Sequence, residues 1–110
     1  MEFRGQYGNA DSLAMKGIRS MHSEEKTAKQ YQEAYNYFEK ALSIDEGEPK
    51  SLYFMGLMNL LGYGRDQNIE AAAELFKRKE LEKDPRALNA LGFIYYSAPK
   101  PLEQDPVKLN

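Results

Sequence analysis

The sequence of 110 residues has no cysteine and a single histidine, His22. The absence of cysteine excludes disulfide scaffolds, thiolate metal sites and cysteine nucleophiles. One histidine is too few for the usual acid–base pairs or for a zinc site, so we interpret His22 as a surface or capping residue. We therefore expect no catalytic residues, no metal and no cofactor.

Long hydrophobic runs and a strong charge of either sign are also missing. The longest apolar run, residues 52–61, is interrupted by Gly56 and Asn59 and is too short to span a bilayer. Residues 1–20 lack the apolar stretch of a signal peptide. With 17 acidic and 15 basic side chains, the net charge is −2. This balance favours neither nucleic acid as a partner nor direct insertion into a membrane.

The most informative feature that is present is an internal repeat. A small residue is followed five positions later by Gly17, Gly56 and Gly92, and these glycines are 39 and then 36 residues apart. After the first two glycines comes a block in which alanine precedes phenylalanine by four positions, at 34–38 and 72–76. After Gly92 the block has only begun, with Leu109 at the alanine position, when the printed sequence ends. The spacing predicts a repeated structural unit.

Each unit has the apolar periodicity of helices, and no segment alternates like a half-buried strand. Residues typical of helix starts (Glu48-Pro49, Asp84-Pro85 and Asp105-Pro106) and of helix stops (Gly47, Gly62-Tyr63-Gly64 and Pro99) separate the blocks. The sequence therefore predicts an all-α fold. Helices are expected near residues 10–22, 27–43, 49–61, 67–82 and 85–97, with a truncated sixth from residue 106.

The repeated glycines indicate close helix packing. Glycine costs up to about 1 kcal/mol inside a helix relative to alanine, so three at equivalent positions suggest a contact that gains more than this. We expect Gly17, Gly56 and Gly92 to let the first helix of each pair approach the second closely, against Ala34 or Ala72.

The order of these residues resembles the Sel-1-like repeat, a relative of the tetratricopeptide repeat. The middle unit matches best, at Ser51, Met55-Gly56, Gly62-Tyr63-Gly64, Asn68, Ala72 and Phe76. The third unit fits over residues 87–96, whereas the first lacks the glycine loop. The resemblance implies an α-solenoid of antiparallel helix pairs. The resemblance also implies that the solenoid is one domain over residues 10–110, with repeats at about 10–43, 49–82 and a truncated 85–110. Residues 1–9 would form an N-terminal extension.

The truncated last unit leaves an apolar helix without its partner. We expect either that the array continues or that a partner or a second copy covers its end. The resemblance implies a non-catalytic scaffold that binds a protein or peptide. Residues 64–76 and 90–95 are similar to adaptors of the ubiquitin ligase of endoplasmic-reticulum-associated degradation. This implies ligase subunits and misfolded clients as partners and the endoplasmic reticulum lumen as the location. The alternative is a Sel-1-like or tetratricopeptide-like scaffold of another pathway, cytosolic or bacterial.

The segment 52–61 is more apolar than a helix with one open face requires. Two interpretations stay open: a thick core in a short array, or a surface for partner binding or self-association. Three equivalent pairs on the third and fifth helices fall where the concave face of a solenoid is expected, and they are the candidate protein-binding residues: Tyr53/Asn89, Leu57/Phe93 and Leu60/Tyr96.

Overall fold

Five α-helices make up most of the residues that the structure describes. The computed structural model describes the backbone of residues 2–97 and the side chains of residues 8–97. The helices are α1 (Glu2–Met21), α2 (Ala28–Ile44), α3 (Pro49–Leu61), α4 (Ile69–Phe76) and α5 (Pro85–Ser97). Residues 2–97 contain no strand, so the all-α prediction is confirmed for this part of the chain. The predicted sixth helix from residue 106 and the stop at Pro99 lie outside the described residues.

Two helix boundaries differ by more than two residues from those that the sequence predicts. Helix α1 begins at Glu2, eight residues before the predicted start, although Gly5 and Gly8 lower the helix propensity of its first turns. Helix α4 ends at Phe76 instead of continuing to residue 82, because Arg78 has an extended backbone conformation. A 3₁₀ turn over Lys79–Leu81 follows, and it buries the side chain of Leu81 in the core.

Side-chain caps fix the starts of the middle three helices. Thr27 accepts a hydrogen bond from the backbone N–H of Gln30 at the start of α2. Glu48 does the same for α3, before proline at the first helical position, as its sequence predicts. Asn68 caps α4 by accepting from the N–H of Ala71 at 3.0 Å. Each cap satisfies a backbone donor that the helix itself leaves free.

Successive helices pack on one another: α1 on α2, α2 on α3, α3 on α4 and α4 on α5, with further contact between α1 and α3. The larger of the two main groups of core side chains joins α3, α4 and α5, and the other joins α1, α2 and α3. Helix α3 is therefore the central element. Its buried residues are Ser51, Leu52, Met55, Gly56, Met58, Asn59 and Leu60.

None of the helices within residues 2–97 combines the length and the apolar character that crossing a membrane requires.

Candidate protein-interaction site

Two of the repeated glycines form notches that phenylalanine rings fill. A Cβ atom built at Gly17 would lie 2.6 Å from Cε1 of Phe38, and one built at Gly56 would lie 2.7 Å from Cε1 of Phe76. Both distances are shorter than real carbon contacts, so neither position has room for a side chain. The sequence predicts that Ala34 and Ala72 face the glycines. These alanines are fully buried, but the ring four residues later fills each notch.

Gly92 differs from the other two glycines. No heavy atom of the described residues lies within 4 Å of a Cβ atom built at this position, and the residue is exposed. The expected close contact of Gly92 with a following helix is therefore not present among the described residues. The reason is positional, because no described helix follows α5 to supply a ring.

The six candidate binding residues differ in burial according to the helix that carries them. On α3, Tyr53 and Leu57 are half-buried, and Leu60 is buried at 6% exposure. Leu60 belongs to the same apolar cluster as Ala72 and Phe76 of α4, so it is a core residue and offers no binding surface. On α5, the three equivalent residues Asn89, Phe93 and Tyr96 are exposed.

Helix α5 exposes more large apolar side chains than any other described helix. Phe93 is 57% exposed and Tyr96 is 90% exposed, and Leu88 and Tyr95 also lie in solvent. The opposite side of α5 carries the buried residues Ala87 and Ile94, which join the core beside α4. A helix that buries one side and shows aromatic rings on the other is typical of an interaction surface.

Tyr53 on α3 contacts a charged pair at the start of α5. The guanidinium carbon of Arg86 lies 4.2 Å from the centre of the Tyr53 ring. Arg86 also donates to both carboxylate oxygens of Asp84, at 3.3 and 3.0 Å. The hydrogen bond from Arg86 lowers the pKa of Asp84, and the same bond raises the pKa of Arg86. The charge of Arg86 is thus paired with that of Asp84.

A second set of contacts joins α2 to α3 and to the loop that follows α3, and sequence reasoning missed it. Tyr31 stacks on Tyr63 with ring centres 4.7 Å apart. The Arg65 guanidinium carbon lies 4.0 Å from the centre of the Tyr35 ring. Asn59 donates to the Tyr35 hydroxyl at 3.2 Å. The residue types were visible, but their partners lie 24 to 32 positions away, so local spacing gives no signal for the pairing.

His22 and the acidic turn at residues 45–48 have structural roles. His22 is exposed, and its Nδ1 lies 2.8 Å from the carbonyl oxygen of Ile18, as expected of a residue at a helix end. In the acidic turn 45–48, Asp45 accepts from the N–H of Gly47 and Glu48 caps α3. Within residues 8–97, no three histidine, aspartate or glutamate side chains come together as metal ligands would.

The described residues place the chain in the class of all-helical proteins. Each helix packs on the next, and two glycine notches hold phenylalanine rings. Sequence comparison relates the chain to the human protein sel-1 homolog 2, with 38% identity over 84 residues, or 76% of this chain. The match covers 12% of that protein, so the chain spans about an eighth of its length. No family model matches the sequence. No solved structure matches it.

Proposed function

We propose that this chain is a Sel-1-like repeat segment that works as a non-catalytic scaffold for protein–protein interaction. The observation that carries the proposal is the exposed aromatic side of α5, where Phe93 is 57% exposed. Rings that remain in solvent beside a packed core suit binding to another polypeptide. The similarity to protein sel-1 homolog 2 supports the repeat family.

The proposed architecture is an α-solenoid of antiparallel helix pairs. Gly17 meets Phe38, while Ala10 and Ala14, earlier in α1, cluster with Ala41, later in α2. This order of contacts is that of two helices running in opposite directions. The radius of gyration of 16.0 Å also exceeds the value of about 13 Å expected for a compact chain of this length. An elongated stack of helix pairs accounts for both observations.

For the biological role, we propose an adaptor subunit of the ubiquitin ligase of endoplasmic-reticulum-associated degradation. Its partners would be ligase subunits and misfolded clients in the endoplasmic reticulum lumen. The support is the resemblance of residues 64–76 and 90–95 to such adaptors. The second candidate is a Sel-1-like scaffold of another pathway in the cytoplasm, which the same exposed rings of α5 would serve equally well.

A capture experiment with a matched control tests the scaffold function. The full chain and its Phe93→Asp variant are immobilised and exposed to fractionated lysate, with Ile44→Asp as the control. Ile44 is an apolar residue on α2 that is also exposed, at 37%. We expect Phe93→Asp to lose bound proteins that the unchanged chain and Ile44→Asp retain, with equal helicity by circular dichroism. Equal capture by all three proteins would contradict the proposal.

The same experiment separates the two biological roles. Ligase subunits captured from the endoplasmic reticulum fraction, and lost with Phe93→Asp, would support the adaptor. A cytosolic partner with the same dependence on Phe93 would support the second candidate.

A further inference from the structure

Two tyrosine side chains meet where the loop after α3 touches α2. The ring of Tyr31 in α2 and the ring of Tyr63 in the loop have centres 4.7 Å apart, and their planes are 18° from parallel. Tyr63 is 36% exposed, and Tyr31 is half-buried. The two phenol rings are therefore in contact and can also be reached by a reagent in solvent.

Backbone contacts hold the two rings against each other. Tyr63 stands between Gly62 and Gly64, which have φ values of 73° and 72°. A Cβ atom built at Gly64 would lie 2.6 Å from the Cβ atom of Tyr31 and 3.1 Å from the backbone nitrogen of Gln32, so the loop backbone rests directly on α2. The Gln32 side chain also donates to the carbonyl oxygen of Gly64, at 3.4 Å. The stacking thus follows from the path of the loop and does not depend on attraction between the rings alone.

The other tyrosines of the described segment have different neighbours. Two of them lie beneath arginine side chains, Tyr35 under Arg65 and Tyr53 under Arg86. Within residues 8–97, the further aromatic contacts pair phenylalanine with phenylalanine or with tyrosine. A reaction that needs two phenol rings in contact is therefore selective for the stacked pair.

One-electron oxidation joins two phenols that lie in contact. Hydrogen peroxide, acting through a haem peroxidase, takes one electron and one proton from each phenol, which leaves two phenoxyl radicals. The radicals combine through one ring carbon beside each hydroxyl, and the hydrogen on each of these carbons moves to the phenol oxygen. One carbon–carbon bond forms, two hydrogen atoms leave the protein, and the peroxide is reduced to two water molecules. Holding both rings in place turns an encounter between molecules into an internal step, which strongly favours coupling.

We propose that Tyr31 and Tyr63 form a site of oxidative cross-linking, where a peroxidase and hydrogen peroxide convert the stacked pair into a dityrosine bridge. The Tyr63 ring is partly in solvent, so it can turn until the two coupling carbons meet. The bridge joins α2 to the loop that follows α3 and fixes these elements relative to each other. It also closes a span of 32 residues, which stabilises the fold by restricting the unfolded chain. The inference goes beyond the scaffold function and is independent of it.

Peroxidase treatment of the full chain tests the proposal. The chain is oxidised with a haem peroxidase and hydrogen peroxide at low protein concentration, so that coupling between molecules is slow. We expect a monomer that has the blue fluorescence of dityrosine and has lost the mass of two hydrogen atoms. Trypsin, which cuts after lysine and arginine, should then release a linked pair of peptides, residues 30–40 and 51–65. Fragmentation of this pair should place the bond at Tyr31 and Tyr63.

Phenylalanine variants locate the site. Tyr31→Phe and Tyr63→Phe keep a ring for stacking but remove the phenol, and each should lower the yield of intrachain dityrosine by about tenfold or more. Tyr37→Phe is the matched control, because Tyr37 lies in the same tryptic peptide as Tyr31 and stacks on no ring of the described residues. This control should cross-link like the unchanged chain. Intrachain dityrosine that persists in Tyr63→Phe would overturn the proposal.

Three further results would also overturn it. An equal yield from the chain unfolded in urea would show that the folded contact does not direct the reaction. A product that consists only of dimers, linked through the exposed tyrosines of α5, would show that the stacked pair does not react. The cross-linked monomer should unfold at a higher urea concentration than the Tyr63→Phe protein treated in the same way, a comparison that allows for methionine oxidation by peroxide. Equal midpoints would show that the bridge does not fix the loop on α2.

Discussion

Gly56 of α3 lies so close to the ring of Phe76 in α4 that a Cβ atom at position 56 would approach Cε1 of that ring to 2.7 Å. Phe76 is 1% exposed and is held by the core, so it cannot turn away at low cost. The missing side chain at residue 56 therefore sets the distance between the two helices. The same relationship holds between Gly17 and Phe38.

Substitution of the repeated glycines should separate the effect of packing on stability from the effect of helix propensity. We expect Gly56→Ala to lower the free energy of unfolding by about 1–3 kcal/mol, because the methyl group overpacks the core. Gly92→Ala should instead raise it by about 0.4–1 kcal/mol, because no atom of the described residues opposes the methyl group and alanine restricts the unfolded chain. Urea denaturation of the two variants measures both effects. A Gly56→Ala protein as stable as the original would refute the notch.

The glycine spacing shows how much of the helix packing can be predicted from the sequence. The interval between Gly17, Gly56 and Gly92 predicts a repeated contact, and the pattern of alanine and phenylalanine predicts the helices that make it. Which side chain fills the notch depends on the rotation of one helix about its axis relative to the other. Periodicity does not specify that rotation, so the prediction named Ala34 and Ala72 instead of the rings at Phe38 and Phe76.

The cap of α3 offers a second prediction. Glu48 is 4% exposed, and its Oε1 accepts from the N–H of Ser51 at 2.7 Å and from the Ser51 hydroxyl at 2.8 Å. Glu48→Ala removes this acceptor and leaves buried donors unpaired, so we expect a loss of about 1–2 kcal/mol in the free energy of unfolding. Glu48→Gln keeps a side-chain acceptor and should retain much of the stability. Chemical denaturation of both variants makes the comparison, and equal losses would show that the cap contributes nothing specific.

The contact between α2 and α3 gives a third prediction. The Asn59 side chain is buried and donates to the Met55 carbonyl oxygen at 2.8 Å and to the Tyr35 hydroxyl at 3.2 Å. Tyr35→Phe leaves one of these N–H groups without its acceptor and should cost about 0.5–1.5 kcal/mol. Tyr37→Phe, on the same helix, is the control, because the Tyr37 hydroxyl makes no hydrogen bond with the described residues. The prediction fails if both variants unfold at the same urea concentration.

This contact also marks a limit of sequence reasoning about the candidate site. An Asn within an apolar helix is visible in the sequence, but its partner Tyr35 lies 24 residues earlier and follows no repeat rule. Leu60 shows that the exposure of a side chain cannot be predicted from the repeat pattern either. Its equivalent on α5, Tyr96, lies in solvent, and the pattern treats the two alike. Only the presence of α4 against α3 decides which of them is covered.

The ion pair at the start of α5 predicts a pH dependence of stability. The hydrogen bond from Arg86 lowers the folded-state pKa of Asp84 below its unfolded value of about 3.9. A carboxyl group with a depressed folded pKa stabilises the protein above the unfolded pKa, and this contribution disappears as the pH falls through the folded pKa. We expect Asp84→Asn, which keeps a capping side chain, to be less stable than the original at pH 7. The difference should shrink steadily below about pH 4.

Thermal unfolding from pH 7 to pH 2 measures this difference in stability, with Asp66→Asn as a control that removes an exposed carboxylate without an ion pair among the described residues. Added salt should also reduce the effect of Asp84→Asn at pH 7, because the pair is partly open to solvent. A stability difference that is the same at pH 7 and pH 2 would mean that the charge of Asp84 does not stabilise the start of α5.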